Sequence, residues 1–243
     1  MEQEKISYFL SLIDNRVEAQ KKIIENLESQ INSIKNELFT KEYKSQKIHL
    51  SEILNEIANK SIINNQFPVI SSTVKGLVLQ SEYFDKEIAS SNNIGYKIIE
   101  KGNIILSPQN LWMGNITFNN KFDNGIVSPS YKVFNIDSRY NKEYIYEILT
   151  TKKAFYLYKT VSEQGASIVR RNLNMEEFMQ LSFKIPDINL QNKIMKYFVS
   201  LKNKLDNEKK ILSLYEKQKQ YLLNKMFIWT YVPTNNPFAF DKA

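Results

Sequence analysis

The chain has 243 residues, 42% of them hydrophobic, and a net charge of +7 from 33 Lys+Arg against 26 Asp+Glu. That composition belongs to a globular protein, and no apolar run reaches the roughly 18 residues that read as a membrane span. The lack of cysteine excludes disulfides and thiolate metal sites, and a single histidine, His49, excludes the usual zinc clusters and most histidine-based catalysis.

The first 20 residues are charged and periodic, which is not the pattern of a signal peptide. Together with the missing cysteines this fits a reducing cytoplasm, which is the expected location. The basic excess suits an anionic partner such as nucleic acid, although many ordinary cytoplasmic proteins are as basic.

Residues 1–40 read as one long helix. Apolar positions recur at Leu10, Ile13, Val17, Ile24, Leu27, Ile31, Ile34 and Leu38, with Gln20 as a polar interruption. The steps alternate three and four, which is an a/d heptad seam. The same pattern returns 188 positions later, within residues 189–228, at Phe198, Leu201, Leu205, Leu212, Tyr215, Leu222 and Met226. Glu208 and Lys219 fill its polar positions. Identical residues align as well, among them Gln3 with Gln191, Ile6 with Ile194 and Phe39 with Phe227. Neither copy contains Gly or Pro. Each copy predicts a helix about 55 Å long. So narrow a seam on so long a helix calls for a partner helix, and the simplest partner is the other copy, in an antiparallel coiled coil. Gln20 and Glu208 then either fix the register or sit solvated at a loose point.

Charge divides unevenly between the copies. Residues 3–39 hold five basic and six acidic side chains, whereas 191–227 hold nine basic and three acidic. The second helix therefore either faces a phosphate backbone or is a solvated lysine-rich face.

Residues 41–188 are of another kind. All six glycines lie between Gly76 and Gly165. "FPVISSTV" (67–74), "YKIIEKGNIILSP" (96–108), "MGNITFNN" (113–120), "GIVSPSYKVFNI" (125–136) and "LSFKIP" (181–186) read as strands. "NKEYIYEILTTKKAFYLYKTV" (141–161) reads as one or two helices. "NMEEFMQL" (174–181) reads as a short helix capped by Asn174. The fold class is α+β: one globular domain flanked by two long helices, with a tail at 229–243. No GxxxxGK phosphate loop or GxGxxG fingerprint occurs, and no metal site is expected.

Loops between the strands carry Asn, Gln, Ser, Thr, Lys and Arg, the side chains that base edges and phosphates require. "KGNIILSPQNLWMGNI", "GIVSPSYKVF", "SEQGASIVRRNLNMEEFMQLSFKIP" and "IPDINLQNKIMKYFVSLKNKLDNEKKI" resemble, in their order along the chain, segments of the specificity subunit of type I restriction-modification systems. The resemblance covers residues 1–228. It implies a target recognition domain between two conserved spacer helices, in a half-length form with a single recognition domain. It also implies a subunit that does not itself catalyse. Such a subunit selects double-stranded DNA for methyltransferase (modification) subunits, which flip out an adenine and methylate it with S-adenosylmethionine. The cofactor is expected there and none in this chain. Motor-nuclease subunits join the restricting complex. Half-length architecture calls for a second copy of the chain or another specificity subunit, and leaves open a chain that interferes with or retargets a methyltransferase or full specificity subunit by protein–protein contact.

The candidates for base reading and phosphate contact are Ser71, Ser72, Thr73 and Lys75, then Gln109, Asn110 and Trp112, then Lys121, then Gln164, Ser167, Arg170 and Arg171. The arginines suit guanine or phosphate, and Gln109 and Asn110 suit adenine. Trp112 reads equally as a core residue, and Arg171 also as a structural residue closing the domain.

Overall fold

In a computed structural model, residues 2–41, 43–73, 76–83, 92–164 and 171–227 are described. Lys75, Ser167, Arg170 and the tail at 229–243 lie outside them, as does the side chain of Met226. The chain divides into two units, Ser33–Phe198 and the pair Met1–Asn32 with Val199–Ala243.

Helix α1 (Glu2–Thr40) opens the chain. In the globular unit its last residues lead to β1 (Ser45–His49), α2 (Leu50–Ile53) and β2 (Leu54–Glu56). Next come β3 (Ile70–Thr73), β4 (Gly76–Leu79), α3 (Gln80–Tyr83), β5 (Lys97–Glu100), β6 (Ile104–Leu106), β7 (Ile116–Phe118), β8 (Asn124–Val127) and β9 (Lys132–Ile136). The unit closes with α4 (Lys142–Leu149), α5 (Lys152–Thr160), β10 (Ser162–Gln164), β11 (Arg171–Leu173), α6 (Met175–Gln180), β12 (Ser182–Pro186) and the start of α7 (Ile188–Phe227).

The centre is a four-stranded sheet in the order β2-β9-β6-β7, with β3–β4, β5–β8, β10–β11 and β1–β12 as antiparallel pairs. All three residues of β6 are fully buried, as are Val133 and Phe134 of β9. Such strands need apolar residues on both faces, which is why "IIL" and "VF" do not alternate with polar residues. On one face Ile105 and Val133 pack with Ile70, Leu77, Ile99 and Val127. Each fully buried side chain of this kind contributes about 1.5–3 kcal/mol.

Local signals set several boundaries. The run 96–108 is two strands, because Gly102 at φ +93° turns the chain and Asn103 Oδ1 accepts the Glu100 amide at 2.7 Å. The run 125–136 likewise splits into β8 and β9. Residues 141–161 form two helices: Asn141 caps α4 through the Tyr144 amide at 2.9 Å, and Thr151 caps α5 through the Ala154 amide at 3.2 Å. Asn174 caps α6 by accepting from Glu176 N and Glu177 N.

The globular unit extends into both long helices, beyond the 41–188 expected. Lys35 Nζ lies 2.8 Å from the buried Glu147 carboxylate and donates to Thr150 Oγ1 at 2.6 Å. Phe39 packs on Tyr144 and, edge-on, on Phe198, with ring centroids 5.1 and 5.4 Å apart. Gln191, 1% exposed, donates to Pro186 O at 2.8 Å and accepts the Asn141 amide at 2.9 Å. Ile34, Leu38 and Phe198 fall within the globular unit, where Phe198 of α7 meets Phe39 of α1.

In the helical unit Ile13, Gln20, Ile24 and Ile31 are buried. Leu10, Val17, Leu27, Leu201, Leu205, Leu212, Tyr215 and Leu222 are half-buried. The two helical segments run antiparallel, since cross-contacts descend on one as they rise on the other. Lys219 pairs with Asp14, and Lys209 pairs with Glu28 at 2.7 Å. Between them Gln20 Nε2 donates to Glu208 Oε2 at 2.7 Å and to Glu208 O at 3.1 Å. The polar interruptions of the two seams are therefore each other's partners. No described helix is long and apolar enough to cross a membrane.

Candidate nucleic-acid interface

Strand directions sort the loops of the globular unit onto two ends. β5 and β8 are antiparallel, so Lys97 lies beside Val127. Val69 bridges Ile126 in parallel, so β3 runs with β8 and its Thr73 end lies toward Val127. β6 and β7 meet at Leu106 and Ile116, beside the Lys132 end of β9. One end of the unit thus collects the Thr73 end of β3, the segment 107–115 between β6 and β7, and the turn 128–131 between β8 and β9.

A buried polar network joins these loops. Ser72 Oγ donates to Asn115 Oδ1 at 2.9 Å and shares a hydrogen bond with Thr117 Oγ1 at 3.0 Å. The Tyr131 hydroxyl donates to Ser72 O at 3.2 Å, and its burial raises the phenol above its usual range. Hydrogen-bonded groups in a low dielectric hold one geometry. They fix where β3, through Ser72, stands relative to the 107–115 segment.

The β10–β11 hairpin joins the same end. Arg171 N donates to Gln109 O at 3.2 Å, and the Arg171 guanidinium sits 5.8 Å from the centroid of the Trp112 ring. Arg171 Nη2 and Nε also donate to Ser162 O, at 2.8 and 3.3 Å. Trp112 is half-buried, and its indole N–H has no hydrogen-bond partner among the described residues.

The proposed reading residues accordingly divide. Gln109, Asn110, Trp112, Gln164 and Arg171 come together. Gln109 and Gln164 are exposed, and Asn110 is half-exposed where it starts a 3-10 turn at Leu111–Met113. Ser71 is half-buried on β3, opposite Val78 of β4. Ser72 is 5% exposed with its hydroxyl engaged, so it supports the loops and presents nothing to a partner. Thr73 closes the hairpin by donating to Gly76 O at 2.9 Å. Arg171 is half-buried and held to the hairpin through Ser162 O. Lys121 falls at the opposite end, beyond β7, where it lies 4.9 Å from the Phe122 ring. That end holds the Lys101–Asn103 turn, where Gly102 N donates to Asn119 O at 2.7 Å. The supporting residues Asn115, Thr117 and Tyr131 carry no sequence signal of their own except that Tyr131 ends "SPSY".

No family model matches the sequence, and no curated protein matches it. Solved structures do match. The HsdS subunit from Thermoanaerobacter tengcongensis superimposes with a TM-score of 0.55 at 12% identity, over 92% of this chain and 56% of that one. The S subunit of a type I restriction-modification system from M. genitalium gives 0.55 at 19% identity, over 93% and 60%. A chain from a structure of complex assembly and conformational transition in the type I system gives 0.56 at 12%, over 92% and 58%. The fold is that of a type I specificity subunit. This chain spans a little over half the length of those specificity subunits, with one α+β unit and one stretch of each long helix.

Proposed function

We propose that this chain is a sequence-specific, double-stranded DNA-binding specificity subunit of a type I restriction-modification system. It reads one half-site with the loop end of the globular unit and docks methyltransferase subunits. The observation that carries the reading is the gathering of Gln109, Asn110, Trp112, Gln164 and Arg171 at one end of a specificity-subunit fold. Gln109, Asn110 and Gln164 offer paired donors and acceptors of the kind that match adenine in the major groove. Arg171, braced on Ser162 O and Trp112, suits a phosphate or a guanine edge beside them.

In this reading the chain does not catalyse. Methyltransferase partners supply S-adenosylmethionine and the chemistry, motor-nuclease subunits join them for restriction, and the complex works in the cytoplasm. A second copy of the chain, or another specificity subunit, supplies the other half-site. The helical unit supports protein partners: Tyr8, Phe9, Leu12, Leu214 and Tyr221 are exposed apolar side chains on helices whose seam is already used. The same side chains favour a second reading, a half-length subunit that occupies a methyltransferase or a full specificity subunit and so interferes with or retargets it.

Competition binding with methyltransferase present, at several salt concentrations, tests the assignment. Gln109→Ala is expected to cost about 1–3 kcal/mol on the selected site and nothing on other sequences. Lys217→Ala on the helical unit, if it touches phosphate, lowers affinity on all sequences alike and reduces the salt slope by about 0.9. Full affinity in Gln109→Ala, Asn110→Ala and Gln164→Ala together defeats the reading in favour of the interfering subunit.

A further inference from the structure

A second pair of loops stands at the same end of the unit and belongs to none of the contacts above. Residues 61–66 follow Lys60, which bridges Lys97 at the start of β5. Residues 92–96 lead directly into that strand. Asparagines lock the two loops together. Asn65 N donates to Asn93 Oδ1 at 2.7 Å, Asn93 Nδ2 donates back to Asn65 Oδ1 at 2.6 Å, and Asn93 N donates to Asn64 Oδ1 at 2.9 Å. The Ser61 hydroxyl adds a bond to Asn93 O at 2.7 Å, and Asn93 is 2% exposed. Asn65 takes φ +55°, a left-handed conformation that this clasp holds in place.

On this rigid clasp three isoleucines face solvent: Ile62 at 78%, Ile63 at 60% and Ile94 at 53% exposure. A single exposed isoleucine needs no explanation, but three on one hydrogen-bonded clasp form an apolar tip held ready for a partner. Charge beside the tip indicates which partner. Lys97 and Lys132 both reach Glu56, at 3.8 and 2.8 Å, so one carboxylate serves two lysines, and Lys60 lies close enough to act on Lys97 as a third positive charge. Lysine is depleted where proteins dock on proteins and favoured where phosphates are neutralised. DNA offers both chemistries side by side, since thymine places an apolar methyl in the major groove between phosphate rows.

We propose that this asparagine clasp is a second recognition element of the same DNA site, with Ile62, Ile63 and Ile94 against thymine methyls and Lys60 on the flanking phosphate. The inference rests on the DNA-reading function proposed above. It extends the read surface to a loop pair with no base-pairing hydrogen-bond signature.

The test starts from a duplex that wild-type chain with its methyltransferase selects from a randomised pool. Affinity is then measured for wild type and for the triple variant Ile62→Ser, Ile63→Ser, Ile94→Ser, on that duplex and on one with deoxyuridine in place of thymine. The triple variant is expected to bind the selected duplex on the order of tenfold more weakly, with an unchanged melting temperature and salt slope. Wild type is expected to lose a similar factor on the deoxyuridine duplex and the triple variant to lose nothing further. Lys60→Gln is expected to lower the salt slope by about 0.9. Equal affinity of triple variant and wild type on both duplexes overturns the inference and leaves the DNA-reading function standing. So does weakened methyltransferase capture without any DNA effect, which makes the clasp a protein-docking tip. If wild type enriches no sequence at all, the DNA-reading function fails and the clasp falls with it.

Discussion

The two units of this protein solve the burial problem differently. In the globular unit whole strands disappear from solvent: every residue of β6 is buried, and Tyr144, Tyr158, Phe134 and Phe178 are fully enclosed. Among the described residues of the helical unit, only Ile13, Gln20, Ile24 and Ile31 of the first helix are buried, and the seam of the second from Leu201 to Leu222 is half-covered. Two helices can shield one stripe each and no more, so apolar side chains outside that stripe stay exposed. The contrast fits the proposed division of roles: a unit with a closed core holds loops in fixed positions, as base reading would require, and a pair of helices with spare apolar surface would serve docking.

The contrast is sharpest in mutational cost. Ile105→Ala removes a fully buried side chain from the centre of the sheet and is expected to destabilise the globular unit by about 4 kcal/mol, measured by denaturant unfolding. Lys35→Ala leaves the buried Glu147 carboxylate with its charge partner gone and is expected to cost about 2–3 kcal/mol in the same assay. Leu27→Asp with Leu212→Asp places charge at half-covered seam positions. It is expected to cost about 2 kcal/mol and to appear as lost helicity rather than lost globular structure. Helicity unchanged in that double variant contradicts the antiparallel pairing.

Much of the helical unit is legible in the sequence because one period governs it. Alternating steps of three and four specify the stripe and mark Gln20 and Glu208 as its polar interruptions; that these two hydrogen-bond to each other follows from the antiparallel packing and not from the 188-residue offset. The globular unit is less legible because its strands are three to five residues long and are chosen by tertiary pairing. One capping signal survives, Asn174 and the helix it starts, whereas the choice between one helix and two over 141–161, open in the sequence, is made by Thr151. The strands β1, β2 and β4 and the hairpin β10–β11 carry no alternation and were not expected. The site shows the same limit. Loop composition picks out Gln109, Asn110 and Gln164, but only topology separates them from Lys121 at the other end, and only packing shows Ser72 buried against Asn115 and Thr117.

A gentler probe of the difference is alkaline pH. Burial raises the phenols of Tyr131, Tyr144 and Tyr158, and burial with the nearby Glu147 pushes Tyr146 up to about 12. A raised pKa in the folded state means that stability is fully present below the unfolded value of about 10 and is lost as pH rises through the folded values. The melting temperature of the globular unit is therefore expected to fall progressively above pH 10, most steeply near 12, and Tyr146→Phe is expected to reduce the steepness.

The central claim is that one globular unit reads one half-site. Methylome sequencing of cells that express this chain and its methyltransferase, with every other specificity subunit deleted, tests it most directly. A single half-site, or that half-site in inverted repeat from two copies of the chain, is the predicted pattern. A bipartite motif with two different halves, or no new methylation together with no DNA binding, contradicts it.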